Sequence, residues 1–151
     1  MILRDYHTHT RYCDGQNTPR EMAAAAAARG MAALGFSGHS HTAYDESYCM
    51  SPAATEQYAA EVLALREEYR GRLEVYLGVE DDLHGARPAF PRDYTIGSVH
   101  ELFAGGTHFS VDHTPEILAR GIREVFGGDG YRAARAYFET VATVREVTGC
   151  D

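Results

Sequence analysis

The sequence predicts an α/β fold built on a parallel sheet, and three observations predict it. Four short strand-like runs recur in the 151 residues, at 2–8, 33–38, 73–79 and 94–99. Stretches with helical spacing follow the first, second and fourth runs. Each run ends at a His or Glu: His7 with His9, then His39, Glu80 and His100. Strands alternating with helices give a parallel sheet, closed or open. In such sheets, ligands and catalytic groups gather at the carboxyl ends of the strands.

The elements follow in order. Residues 2–8 read as a short strand ending at the histidines, and 11–17 as loop. Thr18-Pro19-Arg20-Glu21 opens a helix: Thr18 caps, Pro19 suits the first helical position and Glu21 completes a capping box. That helix runs through the alanines to Arg29, and Gly30 stops it. Residues 33–38 are a second, buried strand, followed by His39-Ser40-His41 and a polar aromatic loop with Tyr44, Asp45, Tyr48 and Cys49. Ser51-Pro52 opens a helix carrying Tyr58, Val62, Leu65 and Tyr69 at helical spacing, closed by Gly71. Residues 73–79 form a third strand, and Asp81, Asp82, His84, Arg87 and Arg92 decorate the loop after Glu80. Residues 94–99 form a fourth strand, and a loop with Gly105-Gly106 and His108 follows His100. Thr114-Pro115-Glu116 starts a helix with Ile117, Leu118, Ile122 and Val125, stopped by Gly127 and Gly128. A last helix is expected over 131–148, with a core stripe of Ala134, Tyr137, Phe138, Val141 and Val144, ended by Gly149.

Composition narrows the function classes. The length suits one domain with a real core. A net charge of −8 without a basic cluster argues against a nucleic-acid footprint. All fourteen basic residues are Arg, which nothing physical here explains. The cysteines, Cys13, Cys49 and Cys150, are far apart and odd in number, which fits a reducing cytoplasm rather than a disulfide framework. The amino end lacks an apolar leader, and the alanine run 23–28 is too short to span a membrane.

The strand ends carry the chemistry. His7 and His9 are two residues apart, so a strand aims both rings to one side. Asp5 shares that face, placed to hold a ligating imidazole. Asp14 lies within loop reach. Together with His39, Glu80 and His100, these residues form a His/Asp/Glu set suited to divalent Zn, Mn or Fe. A carboxylate such as Glu80 can bridge two ions, as in multi-metal phosphoesterases. Other polar groups have plainer alternatives. His41, His84, Arg87 and Arg92 are candidate substrate contacts, with solvated or surface roles as the alternative. His108 reads as exposed loop and His113 as local to a helix start. Asp81 and Asp82 read as solvated or as supports for ligands. Tyr44 and Tyr48 read as a lid or as loop packing.

In combination these stretches resemble the PHP (polymerase and histidinol phosphatase) superfamily, histidinol-phosphatase branch. The matching segments are Asp5-Tyr6-His7-Thr8-His9-Thr10, Asp14-Gly15, Gly35-Phe36-Ser37-Gly38-His39, Gly78-Val79-Glu80 and Gly97-Ser98-Val99-His100. Phe109-Ser110-Val111-Asp112 and Gly127-Gly128-Asp129 also look like that branch. The resemblance implies the amino-terminal part, about four βα units, of a distorted seven-stranded β/α (TIM-like) barrel holding up to three ions. It implies that His7, His9 and Glu80 hold one ion, that Glu80 bridges to a second held by His100, and that Asp14 and His39 hold a third. Glu80 and His100 are then the catalytic pair. The implied reaction is hydrolysis of L-histidinol phosphate to L-histidinol and phosphate, in histidine biosynthesis. No residue stands out as the acid for the leaving group.

The family pattern continues with a further His and an Asp-x-His motif that this chain does not contain. A closed barrel takes about 250 residues. The expectation is a PHP domain over 1–151, truncated before its carboxy-terminal strands; completion by a second chain is the alternative. Three other readings are a PHP phosphoesterase with another substrate, a non-catalytic metal-binding PHP module, and an amidohydrolase barrel, which also begins with HxH. The Gly78-Val79-Glu80 and Ser98-Val99-His100 strand ends fit the last of these less well.

Overall fold

The structure, a computed structural model, describes residues 3–151. It opens with β1 (Arg4–Asp5), α1 (Pro19–Ala28), β2 (Ala33–Phe36), α2 (Pro52–Glu68), β3 (Glu74–Asp82) and β4 (Tyr94–Ser98). The four strands form one parallel sheet in the order β1-β2-β3-β4. Two helix starts follow their sequence signals. Thr18 and Glu21 make a reciprocal capping box with Pro19 in the first turn, and the Ser51 hydroxyl accepts from the Ala54 N–H. The first strand is shorter than expected and ends before the histidines; Ile2, its expected start, lies outside the described residues.

Alternation along β3 sorts the two faces of the sheet. Val75, Leu77 and Val79 pack with Leu34 and Phe36 against Ala23, Ala26, Tyr58, Val62 and Leu65 of the helices. The even residues, Gly78, Glu80 and Asp82, face the other way. That inner face is concave. Neighbouring strands lie about 4.8 Å apart, so a flat sheet would put β1 and β4 about 14 Å apart. Instead, the Tyr94 hydroxyl at the start of β4 reaches back to donate to the Tyr6 carbonyl at 2.6 Å, and lies 3.1 Å from the Phe36 carbonyl. The sheet is therefore curled into a half-barrel. Tyr94 fills its floor, and a Cβ at Gly78 would collide with the Tyr94 ring.

Three features depart from the sequence reading. First, β3 runs two residues past Glu80. Asp81 and Asp82 continue the ladder to Gly97 and Ser98 and are 0 % and 1 % exposed rather than solvated. Second, the expected loop after His100 is a hairpin of β5 (Glu101–Ala104) and β6 (Thr107–Ser110). Gly105 and Gly106 both adopt positive φ, as a two-residue hairpin turn requires. Third, the last helix is two. After α3 (Pro115–Phe126) come α4 (Gly130–Val141) and a short α5 (Val144–Thr148). At the break the Thr143 hydroxyl bonds the Thr140 carbonyl at 2.8 Å, and α5 lays Val144 and Thr148 against β4 beside Gly97. The expected core stripe is only partly buried, since Phe138 is 67 % exposed.

The hairpin, α3 and α4 share a second small core of Leu102, Phe109, Phe126 and Ala133. No helix among the described residues is long and apolar enough to cross a membrane.

Candidate metal centre

Glu80 stands at the mouth of the half-barrel, 4 % exposed. The backbone carries the pairing of β2 and β3 beyond the end of β2. Glu80 N–H donates to the Gly38 carbonyl at 3.1 Å, and Ser40 N–H donates to the Glu80 carbonyl at 2.8 Å. This seats His39 beside Glu80 in a parallel bridge. On the other side, the Asp82 carboxylate accepts the His100 N–H at 3.1 Å. Asp5 acts in the same way, accepting the backbone N–H of His7 at 3.1 Å; its expected partner was the ring. Asp14 reaches the cluster because Cys13 and Gly15 N–H both donate to the Thr10 carbonyl at 3.0 Å, folding the loop back.

Four imidazoles converge on the Glu80 carboxylate. His7 Nε2 lies 2.9 Å, His9 Nε2 3.1 Å and His39 Nδ1 3.4 Å from Oε2, while His100 Nε2 lies 3.1 Å from Oε1. Asp14 faces His9 Nδ1 at 3.0 Å and His39 Nε2 at 3.7 Å. Cys13 Sγ is farther from His9 Nδ1, at 3.8 Å. Three overlapping groups result, each compact enough for one cation: His7, His9 and Glu80; His9, Asp14 and His39; His39, Glu80 and His100.

The electrostatics fit a cation. His39 Nδ1 and His100 Nε2 are buried without a hydrogen bond, although both lie beside Glu80. Burial lowers the His39 pKa to about 4, so its ring is neutral and offers one lone pair. Burial alone would lower His9 and His100 too. Contacts with Cys13 and Glu80 instead raise His9 to about 10, and Glu80 and Asp112 raise His100 to about 9. Burial would raise Glu80, yet the facing His100 and His9 rings hold it well below the usual carboxylate range. His9 and His100 would have to give up a proton each before their rings could hold a divalent ion beside Glu80.

Beside the cluster lies a cavity of about 250 Å³ lined by Asp14, His39, Asp45, Tyr48, His100, Glu101, Ser110, Asp112 and His113. The Tyr48 ring meets His39 and His100 edge-on, with centroids 5.0 and 5.6 Å away. Its hydroxyl is 3.0 Å from that of Tyr44. Asp82, read as solvated or as a support, takes the second role behind His100. Two supports of this site escaped the sequence reading: Tyr94 on the floor, and Asp112, whose carboxylate lies 2.8 Å from His100 Nδ1. Only Asp112 had a signal, its place in the Phe109–Asp112 stretch.

The four candidate substrate contacts lie apart from this cavity. Arg87 binds Asp81 at 3.0 Å and the carbonyls of Asp82, Leu83 and Gly85 at 2.8–2.9 Å, so its guanidinium braces the turn after β3. Arg92 bonds the Thr95 hydroxyl at 2.8 Å and the Pro88 carbonyl at 3.1 Å. His84 packs on Phe103 with centroids 4.2 Å apart. His41 lies 3.8 Å from Cys49 Sγ and 3.7 Å from Glu46. His108 sits on β6, paired with Glu101 at 2.9 Å, and the His113 N–H bonds the Ser110 hydroxyl at 3.1 Å.

Comparison with known proteins adds relatives to this geometry. The PHP domain family matches residues 5–141. The "Probable histidinol-phosphatase" of Deinococcus radiodurans is 36 % identical over 137 residues, 83 % of this chain and 51 % of that protein. The histidinol-phosphatase of Bacillus subtilis is 35 % identical over 92 residues, 54 % of this chain and 34 % of that protein. The chain thus spans about half and about a third of the length of these two curated relatives. A crystal structure from Listeria monocytogenes, assigned to the histidinol phosphatases, superposes with a TM-score of 0.77 at 21 % identity. That match covers 93 % of this chain and 60 % of the other. Histidinol phosphate phosphatase from Lactococcus lactis, complexed with zinc, L-histidinol and phosphate, gives 0.55 at 20 % identity, over 78 % and 49 %.

Proposed function

The chain belongs to the PHP domain family, and from that premise we propose that it carries the metal centre of a phosphomonoester hydrolase that converts L-histidinol phosphate and water to L-histidinol and phosphate. One observation carries the reading: four imidazoles from the ends of β1, β2 and β4 meet one buried carboxylate on β3. The histidinol-phosphatase relatives and the zinc-, histidinol- and phosphate-bound neighbour supply the substrate class. His7, His9, Asp14, His39, Glu80 and His100 would hold divalent ions of the zinc, manganese or iron type, up to three. Glu80 would serve more than one ion, since Oε2 faces His7, His9 and His39 while Oε1 faces His100.

Ions bound there lower the pKa of water and neutralise charge on a phosphoryl group in flight. The residues provide the rest. Glu80 and the neutral His39, both buried, fix donor atoms beside the Tyr48 ring, where electrostatic attraction is stronger than in bulk water. The cavity beside His39 and His100, about 250 Å³, is where a small phosphomonoester would bind. Its acidic wall of Asp45, Glu101 and Asp112 suits a substrate that carries an ammonium group, as histidinol phosphate does.

The test is phosphate release from L-histidinol phosphate by the purified protein, with a panel of other phosphomonoesters alongside. The expected outcome is release that depends on added Mn, Zn or Fe and falls to background in Glu80→Ala. Release strongest on another ester would reassign the substrate. No metal-dependent release from any ester would overturn the enzymatic reading.

A further inference from the structure

The geometry points to Asp112 as the positioning residue that makes His100 a metal ligand, holding its Nδ1 proton so that Nε2 is free to face Glu80. The inference rests on reading His100 as a ligand. An imidazole can give one nitrogen to a cation only if its remaining proton sits on the other, and that proton needs an acceptor to fix the ring. His100 shows both halves of this arrangement. Its Nε2 lies 3.1 Å from Glu80 Oε1 and is buried without a hydrogen bond. Its Nδ1 lies 2.8 Å from Asp112 Oδ2.

Asp112 is itself held in place. Its other oxygen accepts from the Ser110 hydroxyl at 3.1 Å, and that hydroxyl also accepts the His113 N–H at 3.1 Å. The β5–β6 hairpin makes this contact: it leaves His100, turns at Gly105-Gly106 and returns the chain to its starting point. The Val111 N–H closes the circuit by donating to the His100 carbonyl at 3.0 Å. With Asp82 holding the His100 N–H, backbone and ring are fixed from three sides. Asp112 belongs to none of the three compact donor groups, so its role is orientation. Asp14 faces His9 Nδ1 in a similar way but also approaches His39, which places it among the donors themselves.

Asp112→Ala removes the acceptor. Asp112→Asn keeps an acceptor oxygen and the side-chain shape. Zinc binding to wild type and both variants is measured by equilibrium dialysis with elemental analysis. Long-range ¹H–¹⁵N spectra of the zinc-loaded proteins report the His100 ring. The expected wild-type spectrum shows His100 bound through Nε2 with a slowly exchanging Nδ1 proton. Asp112→Ala should lose that protection and bind its weakest zinc about 10–100-fold less tightly. Asp112→Asn should recover most of both. Wild-type affinity with an unchanged Nδ1 proton in Asp112→Ala would overturn the inference and leave the enzymatic reading standing. So would loss of one whole zinc equivalent from both variants, which would make Asp112 a ligand. Absence of zinc from wild type would overturn this inference and the metal-centre reading together.

Discussion

At the scale of single residues, the cluster trades protons for cations. Burial pulls both pKa values down, but Cys13 and Glu80 raise His9 to about 10 and Glu80 and Asp112 raise His100 to about 9, so both rings hold protons at neutral pH. Both pKa values lie above the 6.5 of an unfolded chain, so the folded state binds the extra protons. Their contribution to stability is complete below about pH 6.5 and is lost as pH rises through 9 and 10. In chelator, the melting temperature should therefore fall between pH 6.5 and 10. Divalent metal should abolish that fall, and its affinity should rise over the same window as protons leave the rings. Melts at several pH values, with chelator and with zinc, check this. A melting temperature in chelator that stays flat or rises across the window would contradict it.

At the scale of elements, the half-barrel depends on a side chain that crosses it. Tyr94 starts β4, yet its hydroxyl lies against carbonyls of the β1 and β2 segments. Its ring occupies the space that Gly78 leaves open. Tyr94→Phe removes the donor to the Tyr6 carbonyl, next to His7, and should destabilise the fold by about 1–3 kcal/mol. Urea unfolding measures the loss, and a weaker zinc affinity should accompany it as the His7–His9 segment loosens. An unchanged midpoint would show that the hydroxyl does not tie the sheet together.

The parallel strands were readable because apolar runs between cap and stop signals are local features. The capping box at Thr18 and Glu21 is local too. The β5–β6 hairpin escaped notice because four-residue strands leave a short period-two signal, although Gly105-Gly106 marked its turn. The break at Thr143 follows from the seating of Val144 and Thr148 on β4, which helical spacing does not encode. The extra length of β3 arises in the same way, since Arg87 and the ladder to β4 make burial of Asp81 and Asp82 tolerable.

At the scale of the whole molecule, the site belongs to no single segment. The six donors proposed as ligands lie together because each sits in a strand near its end, just after a strand, or in a loop at one mouth, a pattern visible as His and Glu at run ends. Their supports were harder to read. Tyr94 acts across many residues of sequence and looks like an ordinary strand residue; Asp82 was legible only as one of two alternatives, and Asp112 only as part of the Phe109–Asp112 stretch. For the same reason Arg87 and Arg92 looked available for phosphate, while the fold commits both to backbone carbonyls and neighbouring side chains. The four imidazoles gathered on one buried carboxylate make one claim central: the strand ends would share cations around Glu80. Anomalous diffraction from zinc- or manganese-soaked crystals tests it most directly. The account expects anomalous peaks within bonding distance of Glu80, flanked by the rings of His7, His9, His39 and His100. Peaks only at surface carboxylates, with none beside Glu80, would contradict it.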